Sequence, residues 1–340
     1  MTRIARDVSV IICAYTEARW DELVAAIESV QQQKTPPREI IVVIDHNPGL
    51  LERVRAHMSG VVAVKNGEPR GLSGARKSGI AAAQGQVIAF LDDDAVAEPD
   101  WLEQLVAGYD DPRVLGVGGM IEPLWLDGRP DWFPEEFDWV VGCTYRGMPQ
   151  MTTPVRNLIG CNMSFRQTVF EAIGGFRCGI GRVGTRPVGC EETELCIRAR
   201  QRWPESVLLY EPRARVHHRV PANRACWSYF RSRCYAEGLS KALVSQFVGT
   251  EDGLASEWTY TLRTLPQGIV RGLADTLLRR DPMGMMRAGA IAAGLAITTA
   301  GYLMGTASRW FRVRGKTDNQ SHTTPENSRA LLLFGGEKNE

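Results

Sequence analysis

The sequence predicts an α/β fold with a doubly wound, mostly parallel sheet. Short apolar runs alternate with segments of helical periodicity in the first 120 residues, as in folds of this class. The apolar run at residues 87–91 has the length of a strand that is buried on both faces, and it ends in Asp92, Asp93 and Asp94. Ligands bind at the carboxyl ends of strands in open α/β sheets, so these acids mark a candidate site.

The other elements are justified in chain order by apolar runs, helical spacing and turn residues. Strands are predicted at residues 8–13, 39–44, 61–64, 87–91 and 114–117 and helices at residues 20–33, 50–57, 71–84 and 99–107. We expect Gly85 to cap the third helix. Farther along, we predict a helix at residues 191–203, a strand at residues 207–210 and a helix that carries Arg231 and Arg233.

Composition excludes several classes of function. The 40 basic and 39 acidic side chains of the 340 residues nearly cancel, so no nucleic-acid partner is expected. Eight cysteines without a CxxC pair indicate reduced thiols in a cytosolic protein. The first apolar run is too short for the core of a signal peptide. Neither GxGxxG after a strand nor GxxxxGK[ST] occurs, which argues against a Rossmann dehydrogenase and a P-loop enzyme.

Polar side chains follow the predicted strand ends at one edge of the sheet. The first strand leads into Ala14, Tyr15 and Glu17, and the second ends at Asp45. Arg76 lies on the helix before the acid-tipped strand, where it could pair with a phosphate. Three adjacent acids suit a hard divalent cation that also binds substrate phosphates. The alternative is a solvated acidic turn before a helix that begins near Pro99.

The order of these segments resembles that of family 2 glycosyltransferases of the GT-A fold. In the first half the resemblance rests on residues 8–17, 40–45, 71–79 and 90–101. In the second half it rests on residues 160–166, 173–176 and 190–195, and it covers roughly residues 8 to 245. Each segment alone is a weak indication, whereas their order is specific. The resemblance implies a GT-A type fold and an inverting transferase that uses a nucleotide-diphosphate sugar.

The resemblance also implies roles for single residues. Asp92 and Asp94 match the ends of a DxD motif, so Asp92 would meet the ribose, Asp94 would bind Mg2+ or Mn2+, and Asp93 takes the middle position. The nucleoside pocket would involve Ala14, Tyr15, Glu17, Asp45 and Arg76. Asn162 belongs to a segment of small residues that would lie near the donor sugar.

A sugar hydroxyl is a poor nucleophile, so the reaction needs a general base. The resemblance places this base in the pair Glu191 and Glu192, and Glu192 occupies the position where the family usually has Asp. The alternative is that both acids only begin the helix that follows, where they favour its positive N-terminal dipole.

Three further segments leave alternatives open. His217 and His218 follow a predicted strand, and His218 is the preferred additional metal ligand over a core histidine. Residues 127–154 carry five aromatic side chains, which could form sugar platforms or pack the loop: Trp132, Phe133, Phe137, Trp139 and Tyr145. Arg224, Arg231 and Arg233 could hold phosphates of the donor or of a lipid-linked acceptor, or lie on a surface helix.

The C-terminal region has a different composition. Residues 263–316 hold nine basic and two acidic side chains, and residues 288–307 are uncharged. Twenty residues could cross a bilayer core of about 30 Å. The content of alanine and glycine favours slightly a shallow, interfacial helix held by the arginines, and a soluble core helix is the other possibility.

These observations predict four parts: a nucleotide-sugar-binding half at 1–120, an acceptor-binding and catalytic-base half at 121–250, a helical membrane-associated region at 251–314 and a disordered tail at 315–340. The expected function is transfer of a sugar to a hydroxyl of a glycan or lipid-linked acceptor at the cytoplasmic face of a membrane. A metal-dependent nucleotidyltransferase and an inactive sugar-binding homologue remain alternatives.

Overall fold

The computed structural model describes residues 7–182, 189–249 and 259–320, with side chains up to residue 307 in the last helix. Within these ranges nine strands form one mixed sheet. Its order is β3-β2-β1-β4-β8-β6-β9-β5, and β7 pairs with β9. This architecture confirms the predicted α/β fold. The uninterrupted parallel part of the sheet consists of the four neighbouring strands β3, β2, β1 and β4.

The first half of the chain, up to residue 120, follows the predicted alternation closely. Its elements are β1 (Val8–Ala14), α1 (Trp20–Gln31), β2 (Glu39–Ile44), α2 (Pro48–His57), β3 (Val62–Lys65), α3 (Leu72–Ala82) and β4 (Val87–Asp92). Strand β1 pairs in parallel with both β2 and β4, so the three strands end at one edge. Val10 and Ile12 face one apolar core and Ile11 faces the other, because successive side chains of a strand point to opposite faces.

The second half is mixed in strand direction. Its elements are β5 (Ala95–Ala97), α4 (Trp101–Ala107), β6 (Val114–Trp125), β7 (Thr153–Val155), β8 (Asn162–Arg166), α5 (Gln167–Ile173), α6 (Glu191–Arg202) and β9 (Val207–Val220). Strand β8 runs antiparallel to both β4 and β6. Strands β6 and β9 are much longer than predicted, so His217 and His218 lie within β9 rather than after it.

The role predicted for Gly85 is wrong. The C-cap residue of α3 is Ala83, which follows Ala82 and has an extended backbone. Gly85 lies beside β1 instead. A Cβ atom at position 85 would come within 2.6 Å of the Ser9 backbone nitrogen. The glycine is therefore needed for close backbone approach and not for a helix cap.

Three C-terminal helices pack together: α7 (Trp227–Val248), α8 (Leu265–Leu278) and α9 (Pro282–Gln320), with a π-helical turn at Tyr260–Thr264 before α8. Helices α7 and α9 touch at glycines. A Cβ atom at Gly238 would lie 2.1 Å from the Thr298 carbonyl oxygen, and one at Gly301 would lie 2.2 Å from that of Tyr235. The two backbones are therefore in direct contact.

Residues Pro282–Ala307 of α9 are long and apolar enough to cross a membrane, with a mean hydropathy of 1.4, although a core helix can meet the same criterion. The same stretch packs on α7 through Gly301 and on α8 through Gly284. The helix continues to Gln320, so the part of the predicted tail at 315–320 is helical, and residues 321–340 lie outside the described ranges.

We predict that Gly301→Ala lowers the free energy of unfolding by about 1–3 kcal/mol, the usual cost of overpacking. Gly289 is the matched control, because it lies on the same helix and a Cβ atom there meets nothing within 4 Å. Gly289→Ala should raise stability by roughly 0.5–1 kcal/mol through helix propensity. Urea unfolding of both variants measures the difference, and equal effects would contradict the tight α7–α9 contact.

Candidate active site

A cavity of about 470 Å3 lies at the carboxyl ends of β1, β2 and β4 and extends toward helices α7 and α9. It unites ten of the twelve predicted site residues: Ala14, Tyr15, Asp45, Arg76, Asp92, Asp93, Asp94, Glu191, Glu192 and His218. The other two lie elsewhere. Glu17 is exposed near Arg53, whereas Asn162 is fully buried. The Asn162 side chain accepts a hydrogen bond from Trp101 and donates to the carbonyls of Met120 and Ala214.

Asp45 is held rigidly at the end of β2. Its carboxylate accepts hydrogen bonds from the Asn66 amide at 2.6 Å and from the Gly71 backbone N–H at 2.9 Å. The Nδ1 atom of His46 lies 2.8 Å from the same carboxylate, and His46 has a left-handed backbone with φ of 54°. Asp45 therefore joins the end of β2 to the start of α3 beside the cavity.

The acid triplet is stabilised by cations from outside β4. Arg19 lies 3.0 Å from Asp93 and 2.9 Å from Asp94, and Arg224 lies 3.2 Å from Asp94. Burial alone would raise the pKa of Asp94, but His218, Arg224 and Arg19 outweigh it and hold this pKa well below its usual value. Burial raises the pKa of Asp93 well above its usual value despite Arg19. The surroundings therefore shift the pKa values of these adjacent acids in opposite directions.

The donor set at the triplet fits a divalent cation. The Nε2 atom of His218 lies 3.1 Å from Asp94, and ligand atoms of Asp92, Cys161 and His218 lie within 4.8 Å of one another. Carboxylate oxygens suit Mg2+ and Mn2+ better than a soft thiolate does, so Cys161 is the weakest ligand of this group for these metals. Two carboxylates and one imidazole remain, and this combination suits Mn2+ or Mg2+.

Arg76 lines the cavity and is paired with acids on both of its sides. Its guanidinium is buried, 2.9 Å from Glu191 and 3.5 Å from Asp92, and it donates to the Gly160 carbonyl at 3.0 Å. Burial would lower the pKa of Arg76, but Glu191 and Asp92 raise it. The guanidinium N–H groups that were expected to bind a diphosphate are thus paired with two carboxylates and a carbonyl oxygen.

The paired glutamates at the start of α6 have unlike surroundings. Cys190 precedes them with a left-handed backbone, φ of 70°, a conformation that is unfavourable for a non-glycine residue. Glu191 is buried and paired with Arg76. Glu192 is half-buried at the cavity wall, where burial, followed by the charge of Glu191, raises its pKa to about 8. The two neighbouring acids therefore differ in their partners and in their exposure to the cavity.

Several cavity residues were not predicted from sequence. Arg19 holds the acid triplet, and Arg156, Arg182 and Lys241 also line the cavity. Nothing in their local sequence marks them, because an isolated basic residue in a loop or on a helix is common. Of the aromatic segment, Phe133 and Phe137 are buried against Phe230, so they pack the loop. Trp139 and Tyr145 line the cavity, and so does the buried Phe137.

Comparison with known proteins agrees with this geometry. Residues 9–174 match the model of the family described as glycosyl transferase family 2. A glucosyl-dolichyl phosphate glucuronosyltransferase of Haloferax volcanii is 38% identical over 241 residues, which cover 70% of this chain and 77% of that protein. The chain belongs to glycosyltransferase family 2. This family 2 enzyme is therefore a glycosyltransferase, and the nucleotidyltransferase alternative is not supported.

More distant relatives agree with the family and the fold. The succinoglycan biosynthesis protein ExoM of Rhizobium meliloti is 24% identical over 267 residues, which cover 76% of this glycosyltransferase and 80% of ExoM. The mannosyltransferase PcManGT from Pyrobaculum calidifontis, solved in complex with GDP-Man and Mn2+, superposes with a TM-score of 0.55 at 16% identity over 87% of each chain. This likeness confirms the GT-A type fold.

Proposed function

We propose that the enzyme transfers a sugar, with inversion, from a nucleotide-diphosphate sugar to a hydroxyl of a lipid-linked acceptor, and that Glu192 is the general base. The observation that carries this proposal is the shared cavity: Glu192 and the acid triplet line one space, while Arg76 binds Glu191 and leaves Glu192 as the basic carboxylate. A base positioned opposite the leaving diphosphate suits direct displacement at the anomeric carbon.

The donor would lie at the strand ends. Ala14, Tyr15 and Asp45 would line its nucleoside pocket, and Asp92 and Asp93 would lie beside its ribose and phosphates. We assign a divalent metal to Asp94 and His218, with Asp92 as a further ligand. A metal bound there would stabilise negative charge on the departing diphosphate. The complex of PcManGT with GDP-Man and Mn2+ supports a donor and a metal of this kind.

A lipid-linked acceptor is favoured by two observations. The Haloferax volcanii relative is named for a glucosyl-dolichyl phosphate, a sugar on a lipid phosphate. Helix α8 also exposes an apolar stripe at helical spacing, with Val270 65%, Leu273 36% and Leu277 78% exposed. A soluble glycan acceptor would explain neither observation. An inactive sugar-binding homologue would bind the donor without turnover.

We place the enzyme at the cytoplasmic face of the membrane. The contacts of α9 with α7 and α8 favour interfacial binding over a free transmembrane helix, since a spanning α9 would have to leave both partners. Arg263, Arg279 and Arg280 are exposed around α8 and can meet anionic headgroups, each worth about 1 kcal/mol near the surface.

For the base, we predict that Glu192→Gln lowers turnover by about 10²–10⁴-fold, the usual contribution of general-base catalysis. The side chain keeps its shape, so donor affinity measured by calorimetry should change little. Glu205→Gln, the same change at an exposed position, is the control. If Glu191→Gln lost more turnover than Glu192→Gln with the fold intact, the base would be assigned to the wrong residue.

The same assignment fixes the sign of the pH dependence. A general base acts when deprotonated, so kcat/KM should rise with pH through about 8, the pKa of Glu192. The Glu192→Gln variant should lack this rise. A wild-type profile that is already flat above pH 5 would contradict the raised pKa.

For the metal, we predict that Asp94→Asn abolishes the Mn2+-dependent part of donor binding, because the amide removes the anionic ligand while it keeps the shape. Titration of UDP-, GDP- and dTDP-sugars with and without Mn2+ measures this part. Asp127→Asn changes an exposed acid and serves as control. Retention of the Mn2+ effect in Asp94→Asn would refute the assignment.

For the membrane, we predict that the full chain floats with anionic liposomes and is released by high salt or carbonate without detergent. Leu277→Glu combined with Leu278→Glu should weaken this binding, since both side chains are exposed at the end of α8. Val62→Glu changes an exposed apolar residue on the edge strand β3 and should have no effect. Recovery of the wild type in the supernatant at low salt would end the membrane proposal.

A further inference from the structure

One part of the cavity wall is built from aromatic side chains that come from two distant parts of the chain. Trp139 and Tyr145 precede β7, and Tyr260 lies on the π-helical turn before α8. All three line the cavity and are half-buried, whereas Phe137 beside them is only 1% exposed. These three rings therefore offer a surface to a ligand, which a fully packed aromatic residue does not.

Hydrogen bonds and ring contacts hold the three side chains in one arrangement. The Trp139 indole N–H donates to the Tyr260 hydroxyl at 2.9 Å, and that hydroxyl donates to the Glu136 carbonyl at 2.7 Å. The Tyr145 ring meets the Tyr260 ring edge to face, with centroids 5.2 Å apart. A ligand would thus meet ring surfaces whose orientation is already set by the protein.

The loop that carries two of these rings passes beside the candidate metal site. Gly142 lies between Trp139 and Tyr145 and has a φ of 85°, and a Cβ atom there would be 3.7 Å from the His218 ring. The sulfur of Cys143 lies 3.9 Å from Nδ1 of the same histidine. The two aromatic residues therefore flank, along the chain, a segment that touches the imidazole assigned to the metal.

Tyr260 connects this wall to α8. It begins a π-helical turn, a rare geometry that is frequent at functional sites. The carboxylate of Glu136 pairs with Arg271 of α8, and a Cβ atom at Gly268 would come within 2.6 Å of that carboxylate. The same helix exposes the apolar stripe described above. This arrangement suits a ligand that carries both a sugar and an apolar chain.

The chemistry of the aromatic wall differs from that of the strand ends. Thr261 and Leu265 are the next cavity residues after Tyr260, so uncharged groups continue this wall. The strand ends carry the acid triplet with Arg19 and Arg224. A diphosphate calls for cations or a metal, whereas a pyranose ring has apolar C–H faces and hydroxyl edges that match an aromatic surface with a few polar groups.

We propose that Trp139, Tyr145 and Tyr260 form the platform for a pyranose ring of the acceptor, the sugar that presents the accepting hydroxyl. This inference rests on the proposed function, since it names the part of the acceptor that the transferase recognises. The ligand class is a hexopyranoside with an apolar aglycone.

Binding of simple glycosides tests the platform directly. The probes are n-octyl β-D-glucoside, β-D-galactoside and β-D-mannoside below their micellar concentrations, with octyl tetraethylene glycol as the probe that keeps the chain and lacks the sugar. Saturation-transfer NMR with the full-length protein measures binding. We expect at least one glycoside to bind more tightly than the ether, with the strongest transfer to its sugar-ring protons. Equal binding of all four probes would overturn the proposal.

Two independent variants test the rings. Tyr145→Leu and Tyr260→Leu keep apolar bulk but remove a flat ring, so each should weaken the best glycoside roughly three- to tenfold, the range of one aromatic contact. Binding of the ether should not change. Tyr260→Phe keeps the ring and removes the hydroxyl that orients Trp139, so its loss should be smaller. Unchanged glycoside affinity in both leucine variants would refute the platform.

A matched control excludes a general effect of losing a tyrosine. Tyr235→Leu makes the same change at an exposed position of α7 and should leave glycoside binding unchanged. Thermal unfolding of each variant shows whether it is folded. If Tyr260→Leu does not fold, the comparison of Tyr145→Leu with Tyr260→Phe decides the question.

Competition separates the acceptor from the donor. UDP or GDP with Mn2+ should leave glycoside binding intact, and so should the matching sugar nucleotides. Displacement by a sugar nucleotide but not by the bare nucleotide would assign the rings to the donor sugar and overturn the inference. The base variant Glu192→Gln should retain glycoside binding. Turnover in that variant therefore tests the base, and glycoside affinity in Tyr145→Leu tests the platform, so the two failures are distinguishable.

Discussion

The buried guanidinium of Arg76 joins the two halves of the enzyme. It lies on α3 and contacts Asp92 at the end of β4, Glu191 at the start of α6 and the Gly160 carbonyl before β8. Removing one partner from a buried ion pair leaves an uncompensated charge, which usually costs about 3–5 kcal/mol. The relative position of the acid triplet and the glutamate pair thus depends on one cation.

The same contact gives Glu191 and Glu192 different surroundings. Arg76 pairs with the first, whereas burial, followed by the charge of Glu191, raises the pKa of the second at the cavity wall. The triplet shows the same principle, because Arg19, Arg224 and His218 keep Asp94 ionised while burial favours the protonated form of Asp93. Local partners, and not residue type, therefore decide which acid is charged.

The parallel half was predictable because each of its strands is an apolar run of strand length that ends in polar residues. Strand β6 was predicted too short, since Gly116, Gly118 and Gly119 interrupt the pattern; a Cβ at Gly119 would meet the Ala214 carbonyl at 1.9 Å. The acids at the strand ends were predictable as well, because they directly follow these apolar runs. The pairing of Arg76 with Glu191 was not, because 115 positions separate them and only the tertiary fold brings them together.

The glycine contacts between α7 and α9 make the cavity wall and the apolar C-terminal helix parts of one packed unit. Thr299 is exposed and lines the cavity, so it marks the cavity mouth, and it lies on α9 one turn before the exposed side chains Leu303 and Met304. For a lipid-borne acceptor, the enzyme would sample a two-dimensional population that reaches the mouth by lateral diffusion. Its rate would then depend on the number of acceptor molecules per unit area of bilayer. It would be independent of the volume of the surrounding suspension.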